Sequence, residues 1–155
     1  MMSWPAAVLV MLATTALMEA VAYAAHRWIM HGMGWSWHRD HHEPHAGWFE
    51  RNDRFALVFA LLAIALLVSD LGRTGRFWVG AGMTLYGLLY ALLHDGLVHR
   101  RFPNGWIPRG RYVTRLMQAH HLHHAVHARV GCVSFGFLYA PPIAQLRARL
   151  RATPQ

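Results

Sequence analysis

Ten of the thirteen histidines in this 155-residue chain fall into two copies of one pattern. HRWIMH (His26, His31) is followed by HRDHH (His38, His41, His42), and HDGLVH (His94, His99) by HHLHH (His120, His123, His124). Each half of the chain thus supplies an H-x4-H pair and an H-x2-H-H triplet. On a helix, positions i, i+3 and i+4 share a face, so each triplet is expected to converge on one point. The H-x4-H pairs behave differently, because five residues advance an α-helix by about 500°, or about 140° net. They need a helix end, a bulge or two different metals. Neutral imidazole is the commonest metal ligand and suits zinc, copper, iron and nickel alike. Ten ligands are too many for one ion, and Cys132 has no second cysteine with which to build a thiolate site. The pattern predicts a two-metal centre with about five histidines per ion and leaves the metal open.

The rest of the chain belongs in a bilayer. It is 55% hydrophobic and only 14% charged, apolar for a soluble domain of this size, and its charges are segregated. No charge occurs from Met1 to Met18, from Phe55 to Ser69, or from Phe77 to Leu93. These runs predict an all-α integral membrane protein, one domain over residues 1–155, with about three transmembrane helices. Two runs are shorter than the 18 to 20 residues or so that a hydrocarbon core of about 30 Å requires, but flanking Arg and Trp can snorkel to the interface. A soluble bundle is the alternative, and its helices would carry a polar stripe. FALVFALLAIALLVS carries none.

If residues 1–25, 55–70 and 77–98 each cross once, Arg73 and Arg76 lie on one side and the other thirteen arginines on the opposite side with every histidine. The positive-inside rule makes that side cytoplasmic, with short helices capping the metal site there, as in a bacterial inner-membrane protein. The net charge of +8 is then a topology signal, and a nucleic-acid partner, which would need a soluble basic face, is not expected. VGCVSFGFLYAPPI (Val130 to Ile143) is apolar but short. A fourth crossing there would carry Arg147, Arg149 and Arg151 outside, so a re-entrant or wall-forming segment is favoured. In IAQLRARLR, Ile143, Leu146 and Leu150 at helical spacing suggest an interfacial amphipathic helix. The first apolar run ends in AYAA like a signal peptide, but it lacks a positive n-region and carries Glu19, so it should remain as an anchor.

Two acidic residues are candidates to hold the outer ring nitrogen of a ligating histidine, which fixes tautomer and orientation. Glu19 precedes His26 by seven residues, nearly one helical face, and a carboxylate within a span needs a partner. Asp95 precedes His99 by four; it and Asp40 read equally well as solvated loop charges. His45, His121 and His127 read as nearby or surface histidines, and Tyr23 and Tyr90 as packing.

Together HRWIMHG, HRDHHEPH, HDGLVHR, HHLHH and the downstream GCVSFGFLYAPP resemble the bacterial β-carotene 3-hydroxylases, a branch of the membrane fatty-acid hydroxylase and sterol desaturase superfamily. The resemblance runs from about Glu19 to Leu150. It implies a non-haem enzyme with two iron ions held by the ten motif histidines, with dioxygen as co-substrate and two electrons from a ferredoxin and its reductase. Its substrates would be β-carotene and related carotenoids, hydroxylated at C-3 of each β-ionone ring to give β-cryptoxanthin and then zeaxanthin. Phe135, Phe137 and Tyr139, alternating in side-chain direction if their segment is extended, are candidate walls for a ring that enters from the bilayer, with ordinary packing as the other reading. Cytoplasmic arginines suit an acidic electron donor. A fatty acyl, sterol or carotenoid C-4 oxygenase would share the histidine logic. A metal transporter would place its polar residues near mid-depth of the spans, whereas here they cluster at one edge.

Overall fold

The computed structural model describes residues 2–43, 47–72, 74–102 and 110–152; His45 and Arg73 lie outside them. Every regular element among the described residues is helical. The first helix, α1 (Trp4–Ala24), starts with Pro5 in its first turn, where a missing N–H costs nothing, and runs without interruption into a π-helical segment, Ala25–Met33. A short helix α2 (Trp35–His38) and a 3-10 turn (Arg39–His42) follow. Two apolar helices, α3 (Asp53–Val68) and α4 (Gly75–Tyr90), form a hairpin, and α4 continues into a second π-helical segment, Ala91–Val98. The last helices are α5 (Arg111–His124) and α6 (Ile143–Ala152).

The α3–α4 turn is held by the Asp70 carboxylate, which accepts from the Thr74 N–H at 2.8 Å and the Phe77 N–H at 3.3 Å. α4 lies between α1 and α3, and two glycines permit this. Gly80 and Gly82 are two residues, about 200°, apart on the helix. A Cβ on Gly80 would sit 2.9 Å from the Ala63 carbonyl oxygen of α3, and one on Gly82 would sit 2.5 Å from the Met11 carbonyl oxygen of α1. The Thr15 hydroxyl donates to the Gly82 carbonyl at 3.1 Å across the α1 contact. Small residues that let backbones approach are the usual means of packing helices in lipid. Gly82→Leu is therefore expected to destabilise the bundle by about 1–3 kcal/mol, read as a lower thermal midpoint in detergent; an unchanged midpoint would contradict the close α1–α4 contact.

Trp4–Met33 and Gly75–Val98 are each long and apolar enough to cross a membrane. Their neighbour α3, at sixteen residues, matches the expected span in length and is shorter than the roughly 18 to 20 that a crossing requires. The large apolar side chains of α1 and α3, including Leu9, Leu12, Leu57, Leu61 and Val68, point outward and exposed, as they do on helices that face lipid. Residues 130–142 form no helix.

One expectation is corrected. The apolar stripe of α6 does not lie on a membrane surface. Leu146 is completely buried, and Ile143 and Leu150 pack with it against Leu116 and Ala119 of α5. A stripe at helical spacing fits a protein groove as well as an interface, and α5 presents the complementary apolar face.

Candidate metal centre

The two π-helical segments put the H-x4-H pairs to use. A π-turn closes its hydrogen bond i→i+5 in place of i→i+4, so a side chain five positions on returns to the same face. The His99 N–H donates to the His94 carbonyl at 3.0 Å, and the Gly34 N–H to the Ile29 carbonyl at 2.8 Å. Of the three solutions that the spacing allowed, the bulge is the one present.

The histidines gather into two adjoining groups. In the first, His26, His31, His38, His42 and His123 are all buried, with one potential ligand atom from each lying within 4.8 Å of the others. His41, His94, His99 and His120 form the second, and the Nε2 of His124 lies 2.8 Å from that of His120. The groups touch where the rings of His42 and His124 stack at 4.5 Å. The triplets thus do not converge as expected. His38 and His42 serve the first group and His41 the second, while His120 and His124 lie in the second and His123 in the first. In α5 the reason is angular: His120 and His124 are about 40° apart around the helix, but His123 is about 100° from His124, enough to reach a second centre. Each half of the chain lends its middle triplet histidine to the other half.

In the first group the Nε2 atoms approach in series: His26 to His38 at 3.1 Å, His38 to His42 at 3.2 Å, His42 to His123 at 3.2 Å and His123 to His31 at 3.2 Å. These contacts are not hydrogen bonds between neutral rings. His26 donates from Nδ1 to the Phe135 carbonyl, His31 to that of Arg129, His42 to that of Val126, His123 to that of Val133, and His38 to the Asn52 amide oxygen, all at 2.7–3.0 Å. An oxygen of this kind only accepts, so Nδ1 carries the proton and Nε2 a lone pair. Five lone pairs aimed at one another repel unless a cation lies among them. Two nitrogens each about 2.1 Å from one ion and at right angles are about 3.0 Å apart, close to the spacing found. The donor set fits a metal ion.

The second group is held differently. His41 donates from Nδ1 to Glu50 at 2.6 Å and His94 to Asp95 at 2.7 Å, while Nε2 of His41 and His94 are 3.2 Å apart and those of His99 and His120 3.0 Å. Burial, reinforced by neighbouring histidines, keeps His41, His120 and His123 well below the ordinary imidazole range. Burial likewise lowers His38 to about 3, His42 and His99 to about 4 and His124 to about 2. The rings are therefore neutral at pH 7, the state a ligand needs.

A pH dependence follows for the chelated protein. Unfolded histidines take up protons near their ordinary 6.5 while the buried ones stay neutral down to about 4, so the unfolded chain binds more protons in that window. Stability is expected to be full above pH 6.5 and to fall as the pH drops from there toward 4. Helicity followed in denaturant at several pH values checks it; a flat profile would contradict the buried neutral rings.

Of the acidic candidates, Asp95 pairs with His94 and not, as its spacing suggested, with His99. Glu19 bonds no histidine among its described contacts. Its Oε1 accepts the backbone N–H groups of Phe137, Leu138 and Tyr139 at 2.9–3.0 Å, and its Oε2 accepts from the Tyr86 hydroxyl at 2.8 Å. It pins the segment whose Val133 and Phe135 carbonyls orient His123 and His26, acting at one remove. Glu50 and Asn52 were not singled out from the sequence. Their one signal was two polar side chains just before an apolar helix. His121 and His127 are exposed, as read, and Tyr90 stacks on His94 at 4.4 Å.

The aromatic segment also departs from expectation. Phe135 and Phe137, two residues apart, do not point opposite ways; side chains at that spacing share a face wherever the chain is extended, although Ser134 beside them takes a left-handed φ of 58° and the segment forms no strand. Both rings face histidines: Phe135 packs on His26, His31 and His123, while Phe137 stacks on His26 at 5.3 Å and meets His94 and His120 edgewise or tilted. Tyr139 is turned outward, 63% exposed. A cavity of about 390 Å³ lies between α1, α3 and α4, lined mostly by apolar residues such as Met18, Phe59, Ala63 and Met83. Of the three aromatic candidates, Phe137 lines it. So do Asn52 and Asp95, the partners of one histidine in each group.

The fatty acid hydroxylase family model matches residues 11–140. Over 153 residues the chain is 55% identical to the β-carotene hydroxylase of Pantoea ananas, covering 97% of this chain and 86% of that protein. It is 56% identical over 144 residues to the β-carotene hydroxylase of Pseudescherichia vulneris, covering 92% and 82%. A chloroplastic β-carotene 3-hydroxylase of Haematococcus lacustris is 43% identical over 132 residues, 80% of this chain and 40% of that larger protein. No solved structure matches the chain. With a histidine-lined centre and a family match over most of its length, the chain belongs to the fatty acid hydroxylase family.

Proposed function

We propose that this chain is a β-carotene hydroxylase that inserts one oxygen atom at C-3 of each β-ionone ring, giving β-cryptoxanthin and then zeaxanthin. The observation that carries the reading is the apolar cavity that ends on Asn52 and Asp95, hence on both histidine groups, in a chain more than half identical to β-carotene hydroxylases.

His26, His31, His38, His42 and His123 hold one ion and His41, His94, His99, His120 and His124 the other. Iron is the metal that suits the reaction, since the bound pair supplies with dioxygen the oxidation of an unactivated C–H bond that side chains cannot perform. One oxygen atom enters the ring and the other leaves as water, using two electrons and two protons, with a ferredoxin and its reductase as the donor. The protein's part is placement. Nδ1 acceptors hold each imidazole with its lone pair inward, and Phe137 and Tyr90 close the inner end of the cavity against water. Ala56, Ala60 and Gly87, exposed and lining the same cavity, leave a lateral opening between α3 and α4, through which a ring enters while the polyene stays in lipid.

We place the protein in a bacterial inner membrane with three crossings. At about 24 Å, α3 falls short of the hydrocarbon core, but it is the hairpin partner of α4 and ends in Arg54 on one side and Asp70 on the other. The histidine end, which also carries most arginines, is then cytoplasmic and capped by α2, the 3-10 turn and α5, all within one domain. The test is expression in bacteria that accumulate β-carotene, with carotenoids separated by liquid chromatography and mass spectrometry. Products heavier by one and two oxygens that co-elute with cryptoxanthin and zeaxanthin are expected. Unchanged β-carotene in cells with membrane-inserted protein and a working donor would overturn the reading.

A further inference from the structure

The two histidine groups differ in what stands behind them. Every Nδ1 in the first group donates to a neutral oxygen, four carbonyls and one amide. The residues close by are cationic. The Arg129 Nε–H donates to the His31 carbonyl at 3.0 Å, and the Arg27 guanidinium lies 5.6 Å from the centre of the Phe135 ring. Behind the second group stand carboxylates: Glu50 on His41 and Asp95 on His94. These are tied into one network. Arg101 donates to both oxygens of Asp53 at 2.8 and 2.7 Å, Asp53 accepts the Glu50 N–H at 3.0 Å, and Arg101 lies 3.8 Å from Asp95. One guanidinium faces three carboxylates, so the network keeps net negative charge beside the second group.

Resting on the two-metal reading above, we infer that Glu50 and Asp95 are positioning residues that make the two metal positions unequal, the second group holding its ion more tightly than the first. A carboxylate accepting from Nδ1–H pushes electron density toward Nε2 and makes it a stronger donor, and such partners are worth about 10–100-fold in metal affinity. An amide or carbonyl oxygen does this less. Ligand number does not supply the difference: five imidazoles of the first group lie within 4.8 Å of one another against four of the second with His124 beside them, which would favour the first group. The carboxylates also neutralise part of the ion's charge in a buried place, whereas Arg27 and Arg129 oppose it.

The test uses the full chain in detergent, loaded with cobalt(II) and chased with excess chelator while the visible absorption of the bound ion is followed; no carotenoid enters the assay. Wild type is expected to lose two ions per chain in two phases of equal amplitude, with rates at least about tenfold apart. Glu50→Gln combined with Asp95→Asn is expected to accelerate the slow phase alone, and Glu50→Asp to restore it in part. Asn52→Asp, which puts a carboxylate behind His38, is expected to slow the fast phase alone and decides the matter should the double variant fail to fold. Two ions leaving wild type in one phase, or a fast phase indifferent to Asn52→Asp, would overturn the inequality while leaving the two-metal reading intact. A chain that takes up no cobalt would overturn both.

Discussion

His123→Ala is expected to reduce zeaxanthin formation at least about 100-fold and to cut bound metal from two ions per chain to one. His123 is fully buried, its Nε2 stands 3.2 Å from those of both His31 and His42, and its Nδ1 holds the Val133 carbonyl. It is the one member of the first group that comes from the second half of the chain. Alanine removes a ligand, leaves a cavity and orphans a buried carbonyl, yet touches none of the contacts within the second group. His121→Ala, two residues away on the exposed side of α5, is the matched control and should behave as wild type. Metal analysis beside carotenoid analysis separates the outcomes: an inactive protein that still carried two ions would show that His123 is no ligand.

Gly87→Phe is expected to lower hydroxylation at least about tenfold with both ions retained. Gly87 lines the cavity opening, and a Cβ placed there meets no heavy atom within 4 Å, so the larger side chain enters open space without strain. Removing a glycine from a helix interior is itself favourable, by about 0.5–1 kcal/mol for alanine and a few tenths for phenylalanine, and the thermal midpoint should hold or rise. A stable, metal-replete and poorly active variant is the signature of a blocked substrate path. Full activity would move the substrate to another face of the protein.

Much of this was written in the sequence, because its chemistry is concentrated in a few residue types. Histidine spacing announced the residues that gather into two buried groups, and uncharged runs announced the helices that carry them. Spacing alone did not say how the ligands divide, since the exchange of His41 and His123 depends on where two helical turns stand relative to each other. The Nδ1 partners were harder still. Four are backbone carbonyls, which leave no trace in residue identity, and Glu50 and Asn52 reach back to His41 and His38 across a loop. Asp95 was noticed, but helical spacing pointed to His99, whereas the π-turn at Ala91–Val98 leaves its carboxylate beside His94. The stripe on α6 was legible as a stripe, but its partner surface on α5 was not.

The carbonyls that set the first group carry a consequence for the birth of the protein. His26 and His31 emerge from the ribosome early, yet the oxygens that fix their tautomers belong to Phe135 and Arg129, about a hundred residues later, and the imidazole that closes their group is His123. A nascent chain that has inserted only its first hydrophobic segment therefore owns two of these imidazoles in undefined orientation and no finished cage. Metal capture by this group has to wait until translation has passed Phe135 and Glu19 has drawn the late segment onto α1. Completion of the cage is thereby confined to chains whose helices are already assembled, and a ribosome that stalls before that point releases a product unable to form it.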